Sequence, residues 1–247
     1  MQRFFLSIHP ISSGEINFPL DICHQIKTVM RLQAGDQVEV AFGDGWIYLV
    51  ELQIINEKQV IGEISARSPA DSEPTVKIHL LFALTQREKV EWILQKGTEA
   101  GVFSFHPYIS QRTLIQNGAL SDKKRERWER IIREAAEQSQ RGQLPELNPP
   151  GKLTDMLVRQ NGNIILAAMV GDEPESLKPL LKRIKIEQEL DVIIGPEGGF
   201  HPDEIQQMQA SAVHFFSMGR RIFRMETAAI IAPALILYEF GEMGISK

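Results

Sequence analysis

The chain has one cysteine, Cys23, in 247 residues. A single thiol excludes an internal disulfide framework and any Cys-rich zinc site, and it fits a reducing compartment. The longest apolar stretch, Ala228–Tyr238, is well short of the roughly 20 residues that cross a bilayer. The segment Met1–Ile8 is too short and poorly flanked for a signal peptide, so a cytoplasmic protein with no membrane partner is expected. The six histidines show no metal-ligand spacing, so no metal is expected either. There is no GxSxG elbow, no Walker A and no GxGxxG. Those absences remove support for serine hydrolysis, pyrophosphate cradling and dinucleotide binding. A net charge of −5 gives no support to bulk electrostatic attraction to RNA.

What remains is an ordinary globular composition, 43% hydrophobic and 24% charged, long enough for two domains. Residues 1–70 read as a small β-rich domain. Asp36–Phe42 alternates polar and apolar, as a half-buried strand does. Gly43-Asp44-Gly45 is a turn, and strand character resumes at Trp46–Val50, Glu51–Ile55 and Gln59–Ile64. A short helix is expected between Asp21 and Arg31. Ser68–Pro74, with two prolines among small polar residues, reads as the linker. Residues 71–247 alternate strands (Val76–Leu84, Val102–Pro107, Ile164–Ala168, Val192–Ile194, Val213–Phe216) with helices (Lys89–Ala100, Asp122–Arg141, Leu177–Ile186, Pro202–Ala210, Thr227–Phe240). That order predicts an α/β domain on a mostly parallel sheet.

Two loops carry the chemistry. In the first, Gly195-Pro196-Glu197-Gly198-Gly199 follows an apolar strand and precedes a helix, the position at which α/β proteins hold ligands. Glu197 would repel phosphate and favour a cation such as a sulfonium or ammonium. The plain alternative is a tight strand-to-helix turn. In the second, Met218–Ala228 places Arg220, Arg221 and Arg224 beside Glu226. Guanidinium forks suit phosphates and base edges; the plain alternative is charges paired with Glu226 or Glu239. Basic residues outnumber acidic ones eight to five from Arg112 to Arg141, whereas acids lead eleven to six from Gly142 to Ala210. Nucleic-acid contact, if any, is therefore local. The helix from Asp122 has an apolar stripe and a charge-laced face, which most often means a solvated surface.

These motifs resemble the bacterial small-subunit ribosomal RNA uridine-N3 methyltransferases of the knotted SPOUT superfamily. Four segments carry the likeness: Lys96, Glu99, Gly101 and Val102; Glu134, Ala135, Gln138, Ser139, Arg141 and Pro145; Gly195–Phe200 with Glu204; and Gly219, Arg221, Ile222, Arg224, Glu226, Thr227 and Ala228. Arg3-Phe4-Phe5, His24 and Val29–Leu32 with Gly35-Asp36 match the accompanying PUA-like domain. Three residues depart from the pattern: Ala100 stands for leucine, Met225 for threonine, and His201 for a Ser-type helix cap. Pro233 inside the last helix is expected to kink it.

The resemblance implies a C-terminal SPOUT domain with a parallel sheet and a deep trefoil knot, an exception to the rule that chains avoid knots. It implies a PUA-like β-barrel in front, a homodimer, and S-adenosylmethionine bound in the knot. Cofactor contacts would come from Leu166, Ala167, Ala168, Gly195, Pro196, Glu197, Gly198, Gly199, Met218, Gly219, Ile222, Met225, Thr227 and Ala228. Arg221 or Arg224 would donate to a uracil carbonyl, with Glu226 or Glu197 as the base. Arg3, His24, Arg31, Arg112, Lys123, Lys124, Arg127 and Arg141 would touch small-subunit ribosomal RNA, naked or in an assembled particle. Two rivals remain: an enzyme of this fold acting on another RNA atom, and a non-catalytic assembly factor.

Overall fold

The structure, a computed structural model, describes residues 1–7, 14–56, 59–113, 120–158, 163–170, 174–184 and 189–244. It separates into two compact units: Met1–Glu73 with Ala136–Leu144, and Pro74–Ala135 with Pro145–Lys247.

The first unit is built on β1 (Arg3–Phe5), β2 (Glu15–Asn17), β3 (Gln37–Ala41), β4 (Trp46–Ile55) and β5 (Val60–Pro69). They form one sheet in the order β1-β3-β4-β5-β2. β1 pairs parallel with β3 and the other ladders are antiparallel; among the described residues no ladder joins β1 to β2. The alternation read in the sequence places Val38 and Val40 in a core with Phe4, Phe18, Ile26, Val50 and Leu52. Gly43 and Gly45 adopt positive φ, 76° and 84°, which makes the tight β3–β4 turn cheap for glycine alone. The helix expected over Asp21–Arg31 is α1 (Leu20–His24) running into one π turn, Gln25–Val29. Arg31, at φ 57°, turns the chain away.

Two boundaries differ from expectation for physical reasons. Ser68 and Pro69 pair with Ile47 and Trp46, so the linker's first two residues finish β5, where a strand end tolerates proline. The long helix stops at Gln138 rather than Arg141, and Gln140 turns at φ 60°. Side chains of the first unit hold the turn. The Phe5 amide donates to Glu137 Oε1 at 3.1 Å, and Arg3 donates to the carbonyls of Gln140 and Arg141. Glu73 accepts from Arg141 Nη2 at 2.6 Å and from the Gly142 and Gln143 amides at 2.8 and 3.2 Å.

The second unit carries β6 (Lys77–Ala83), α2 (Arg87–Glu99), β7 (Ser104–Ile109), α3 (Asp122–Gln138, its last turn counted with the first unit), β8 (Glu146–Leu147), β9 (Gly151–Lys152), α4 (Leu153–Val158), β10 (Ile164–Ala168), β11 (Glu175–Ser176), α5 (Leu177–Arg183), β12 (Glu189–Ile194), α6 (Pro202–Ala210), β13 (His214–Ser217) and α7 (Met225–Glu239). The sheet order is β11-β13-β10-β12-β6-β7-β8, with β9 on β7, and every ladder is parallel. The parallel sheet read from strand–helix alternation is thus present. Its central strands are apolar on both faces, as parallel strands are: Leu80–Leu84 and Val192–Ile194 are all buried. The expected end of α5 at Ile186 lies outside the described residues. Pro233 sits within α7, which runs uninterrupted from Met225 to Glu239.

Candidate active site

Parallel strands end at one edge of their sheet. The carboxyl ends of β10, β12 and β13 open there into a cavity of about 890 Å³, within the size range of small-molecule sites. Its walls are three loops: Ala168–Val170 after β10, Ile194–Phe200 after β12, and Ser217–Gly219 with Arg221–Met225 after β13. Lys89 of α2, Ile205 of α6 and Ala228 of α7 close the remainder.

The glycines fit a cradle. Gly199 and Gly219 hold φ of 69° and 105° with nothing within 4 Å of a would-be Cβ, so the backbone there faces open space. At Gly195 a Cβ would meet the Phe200 ring at 3.0 Å. The floor beneath is firm. Buried Tyr108 donates its hydroxyl to the Ile194 carbonyl at 3.0 Å, and burial pushes its phenol well above the usual range. Beyond the loop, α6 begins with a reciprocal cap. His201 accepts from the Asp203 amide, and the His201 amide donates to Glu204 Oε2 at 2.8 Å. His201 therefore replaces a hydroxyl cap in function as well as in position. Glu204 is buried and also accepts from Ser110 Oγ and the Gln111 amide, each at 3.0 Å.

Charge is unevenly satisfied. Arg220, Arg221 and Arg224 are exposed and make no side-chain hydrogen bond or ion pair among the described residues. The plain alternative of paired helix charges therefore fails: Glu239 bonds Lys178 instead, at 3.5 Å. Glu226, in the first turn of α7, has Oε2 buried without a hydrogen-bond partner. Glu197 is engaged by Lys89. An unpartnered buried carboxylate oxygen costs free energy, and such atoms in a native fold call for a ligand or a role.

Of the residues singled out in the sequence, Ala168, Gly195–Gly199, Met218, Gly219, Arg221, Ile222, Arg224, Met225 and Ala228 line the cavity. Leu166 and Ala167 do not: both are sealed in the sheet, because only the last residue of a buried strand reaches its edge. Thr227 and Glu226 also lie outside the lining. Lys89, Val170, Phe200, Ile205 and Phe223 line it unforeseen. Only the adjacency of β6 and β12 could have revealed Lys89, since it places the turn after β6 beside the glycine loop.

The RNA-contact set divides. Arg3 and Arg141 are corrected: each is buried, Arg3 on Glu39 at 2.8 Å and Arg141 on Glu73 at 2.6 Å, so neither fork is available to phosphate. Arg127 is also committed, with both nitrogens on Glu91 at 2.6 and 2.8 Å. That fork holds the Glu91 carboxyl down to about 2. Lys124 lies over the Trp128 ring at 4.7 Å. His24, Arg31 and Lys123 are exposed. Arg112 is exposed and donates to the Gly198 carbonyl at 2.9 Å, which puts it at the cavity's loop.

A family model described as an RNA methyltransferase domain matches residues 71–237, and one described as an RNA methyltransferase PUA domain matches 24–65. Ribosomal RNA small subunit methyltransferase E of Mesomycoplasma hyopneumoniae is 33% identical over 93% of this chain and 96% of its own length. This chain belongs to the ribosomal RNA small subunit methyltransferase E family. The family's Bacillus subtilis member is 29% identical over 97% of both chains. A crystal structure of the Neisseria gonorrhoeae member, bound to S-adenosyl methionine, covers 96% of this chain and 97% of its own at 25% identity and a TM-score of 0.87. Family members thus share the architecture over nearly the full length. Among the described residues there is no cluster of three or more side chains suited to a metal ion, and no helix is long and apolar enough to cross a membrane.

Proposed function

We propose that this chain transfers a methyl group from S-adenosylmethionine to N3 of a uridine in small-subunit ribosomal RNA, and that it does so in the cytoplasm. The observation that carries the reading is the cavity at the carboxyl ends of β10, β12 and β13. There a glycine cradle lies beside two cavity-lining arginines that make no side-chain bond among the described residues, and Glu226, the neighbour of cavity-lining Met225, carries a buried oxygen without a hydrogen-bond partner.

The residues present fit the cofactor. Positive-φ glycines leave room for close backbone approach, and Ile194, Met218, Ile222 and Phe223 offer apolar walls. S-adenosylmethionine supplies a methyl on a cationic sulfur and departs as the neutral thioether. The chain's part is to align the reactants and prepare the base. Uracil N3 carries a proton at neutral pH. A carboxylate, Glu226 or Glu197, accepts it, and the electron pair left on N3 forms the new bond to carbon. Arg221 and Arg224 face the negative charge that spreads onto the uracil carbonyls, where fixed donors count most.

The division at residues 70 and 71, with the PUA-like part holding RNA and the knotted part holding the cofactor, belongs to the same proposal. So does a homodimer: Leu235 and Tyr238 of α7 and Trp92 of α2 are exposed apolar residues, 41%, 69% and 53% accessible, on two helices that pack together.

The test is methyl transfer from labelled S-adenosylmethionine to naked small-subunit ribosomal RNA and to assembled subunits lacking the modification, with products digested to nucleosides. Label in N3-methyluridine is the expected result, and the better substrate identifies the stage of action. Label in another nucleoside moves the target. No label and no cofactor binding would support the assembly-factor rival.

A further inference from the structure

Glu197 belongs to the glycine loop, yet its carboxylate is occupied from outside it. Lys89 Nζ donates to Oε1, and Thr85 Oγ1 approaches the same oxygen at 3.5 Å. Thr85 and Lys89 follow β6, the strand next to β12, so the pair ties the turn after one strand to the turn after the other. The rest of the loop is held too. Arg112 donates to the Gly198 carbonyl, the Gly199 amide closes on the Pro196 carbonyl at 2.9 Å, and Glu204 fixes the His201 amide. Lys89 lines the cavity with its side chain only 24% accessible. Its hydrogen bond to Glu197 raises its affinity for protons above the usual lysine value, so it stays cationic throughout the working range. Glu226 is the opposite case, with a buried oxygen that nothing donates to.

We infer that Lys89 is a positioning residue with Glu197 as its strut, the pair fixing the glycine loop in its cofactor-holding shape, and that Glu226 is the base. The inference rests on the methyl-transfer reading above. Lys89 and Thr85 both donate toward Glu197 Oε1, so that oxygen is already taken, whereas Glu226 Oε2 has no donor among the described residues and its acceptor position is open. The N3 proton then passes to Glu226, the electron pair stays on N3 for the new bond to carbon, and Glu197 keeps its hydrogen bond to Lys89 through the cycle.

The experiment compares K89M, K89R, E197Q and E226Q by calorimetric titration with S-adenosylmethionine and by single-turnover methyl transfer at saturating cofactor across pH, with thermal melts to verify folding. K89M and E197Q are expected to weaken cofactor binding about fivefold, to keep single-turnover rates within about threefold, and to retain the acid limb of the pH profile. K89R should bind within about twofold of wild type, since it preserves the charge. E226Q should bind cofactor normally, lose about 100-fold or more in rate and lose the acid limb. E197Q that binds normally but loses turnover and the acid limb overturns the assignment, as does K89M that binds as tightly as wild type. Full turnover in E226Q removes the base from that residue. A wild-type protein that binds no cofactor overturns the methyl-transfer reading itself, a result separable from any pattern among the variants.

Discussion

The eight-stranded sheet has charged residues at both ends, and the ends differ in how those charges are satisfied. At the amino ends of β6, β7 and β12, Lys77 bonds Glu189 at 3.0 Å. His79 links Ser104 at 2.6 Å to Glu189 at 3.4 Å, and Ser104 passes on to His106 at 2.7 Å. Asn163 donates to Asp191 at 3.2 Å. At the carboxyl ends, Arg221 and Arg224 have no side-chain partners among the described residues, and Glu226 keeps a buried oxygen without a donor among them. Polar groups whose bonds close on one another stabilise a fold. Groups left open at a strand-end cavity are where a ligand completes the set.

The largest effect that would break this comparison is catalytic. R224A or R221A is expected to lower methyl transfer about 100-fold, whereas E189Q at the other end changes it less than about twofold. Equal losses at both ends, measured as single-turnover rates, would erase the distinction. Next in size is a stability effect in the first unit. R141A takes the cation from half-buried Glu73, which keeps the Gly142 and Gln143 amides, and should cost about 1–3 kcal/mol by urea denaturation, while the salt dependence of RNA binding by the folded fraction stays unchanged. G219A forces a side chain onto φ of 105° and should destabilise by about 1–3 kcal/mol and weaken cofactor binding, since the loop must shift.

A smaller test uses pH. The Lys77 hydrogen bond lowers the Glu189 carboxyl below its usual 4.5. Its contribution to stability is present above that value and is lost as pH falls through the lowered one. Burial raises Asp191 above its usual 3.8, so its ionisation opposes folding once pH exceeds 3.8, and the full cost is reached above the raised value. E189Q should therefore be less stable than wild type at pH 7 and equal to it in acid. D191N should be more stable at pH 7 and equal in acid. Urea melts at both pH values give the signs. The smallest effect concerns RNA. R127A should leave the salt slope of binding unaltered because its fork is spent on Glu91, while loss of a true phosphate contact at Lys123 flattens the slope by about 0.7–0.9.

The sequence made the glycine loop legible because a short apolar run followed by glycines has few structural meanings. Strand–helix alternation likewise announced the parallel sheet. Arginine was harder to read. Arg3 and Arg141 look like surface cations in a string of letters, and only the approach of Glu39, Glu73 and two carbonyls shows that they are internal struts. Lys89 was invisible for the converse reason: its partner lies 108 residues away, and that separation is set by strand order, which no local pattern carries. Leu166 and Ala167 were placed at the cavity by position along a strand, but burial on both faces leaves only Ala168 to reach it. His201 reads as a departure from a hydroxyl cap, yet its ring nitrogen accepts the same amide bond.

The segment Ala136–Leu144 counts with the first unit, and this sets an order of events during synthesis. Glu73 waits for Arg141, which is made 68 residues later, and Phe5 waits for Glu137. The first unit therefore cannot finish when its own strands leave the ribosome. The central β6–β12 ladder waits longer still, because Lys77 meets Glu189 across 112 residues. Contacts so distant along the chain slow folding. The nascent protein thus holds a first unit that lacks its last segment and a β6 paired with β7 but open on its β12 side until most of the polypeptide has emerged, and that interval is when it most needs protection from aggregation.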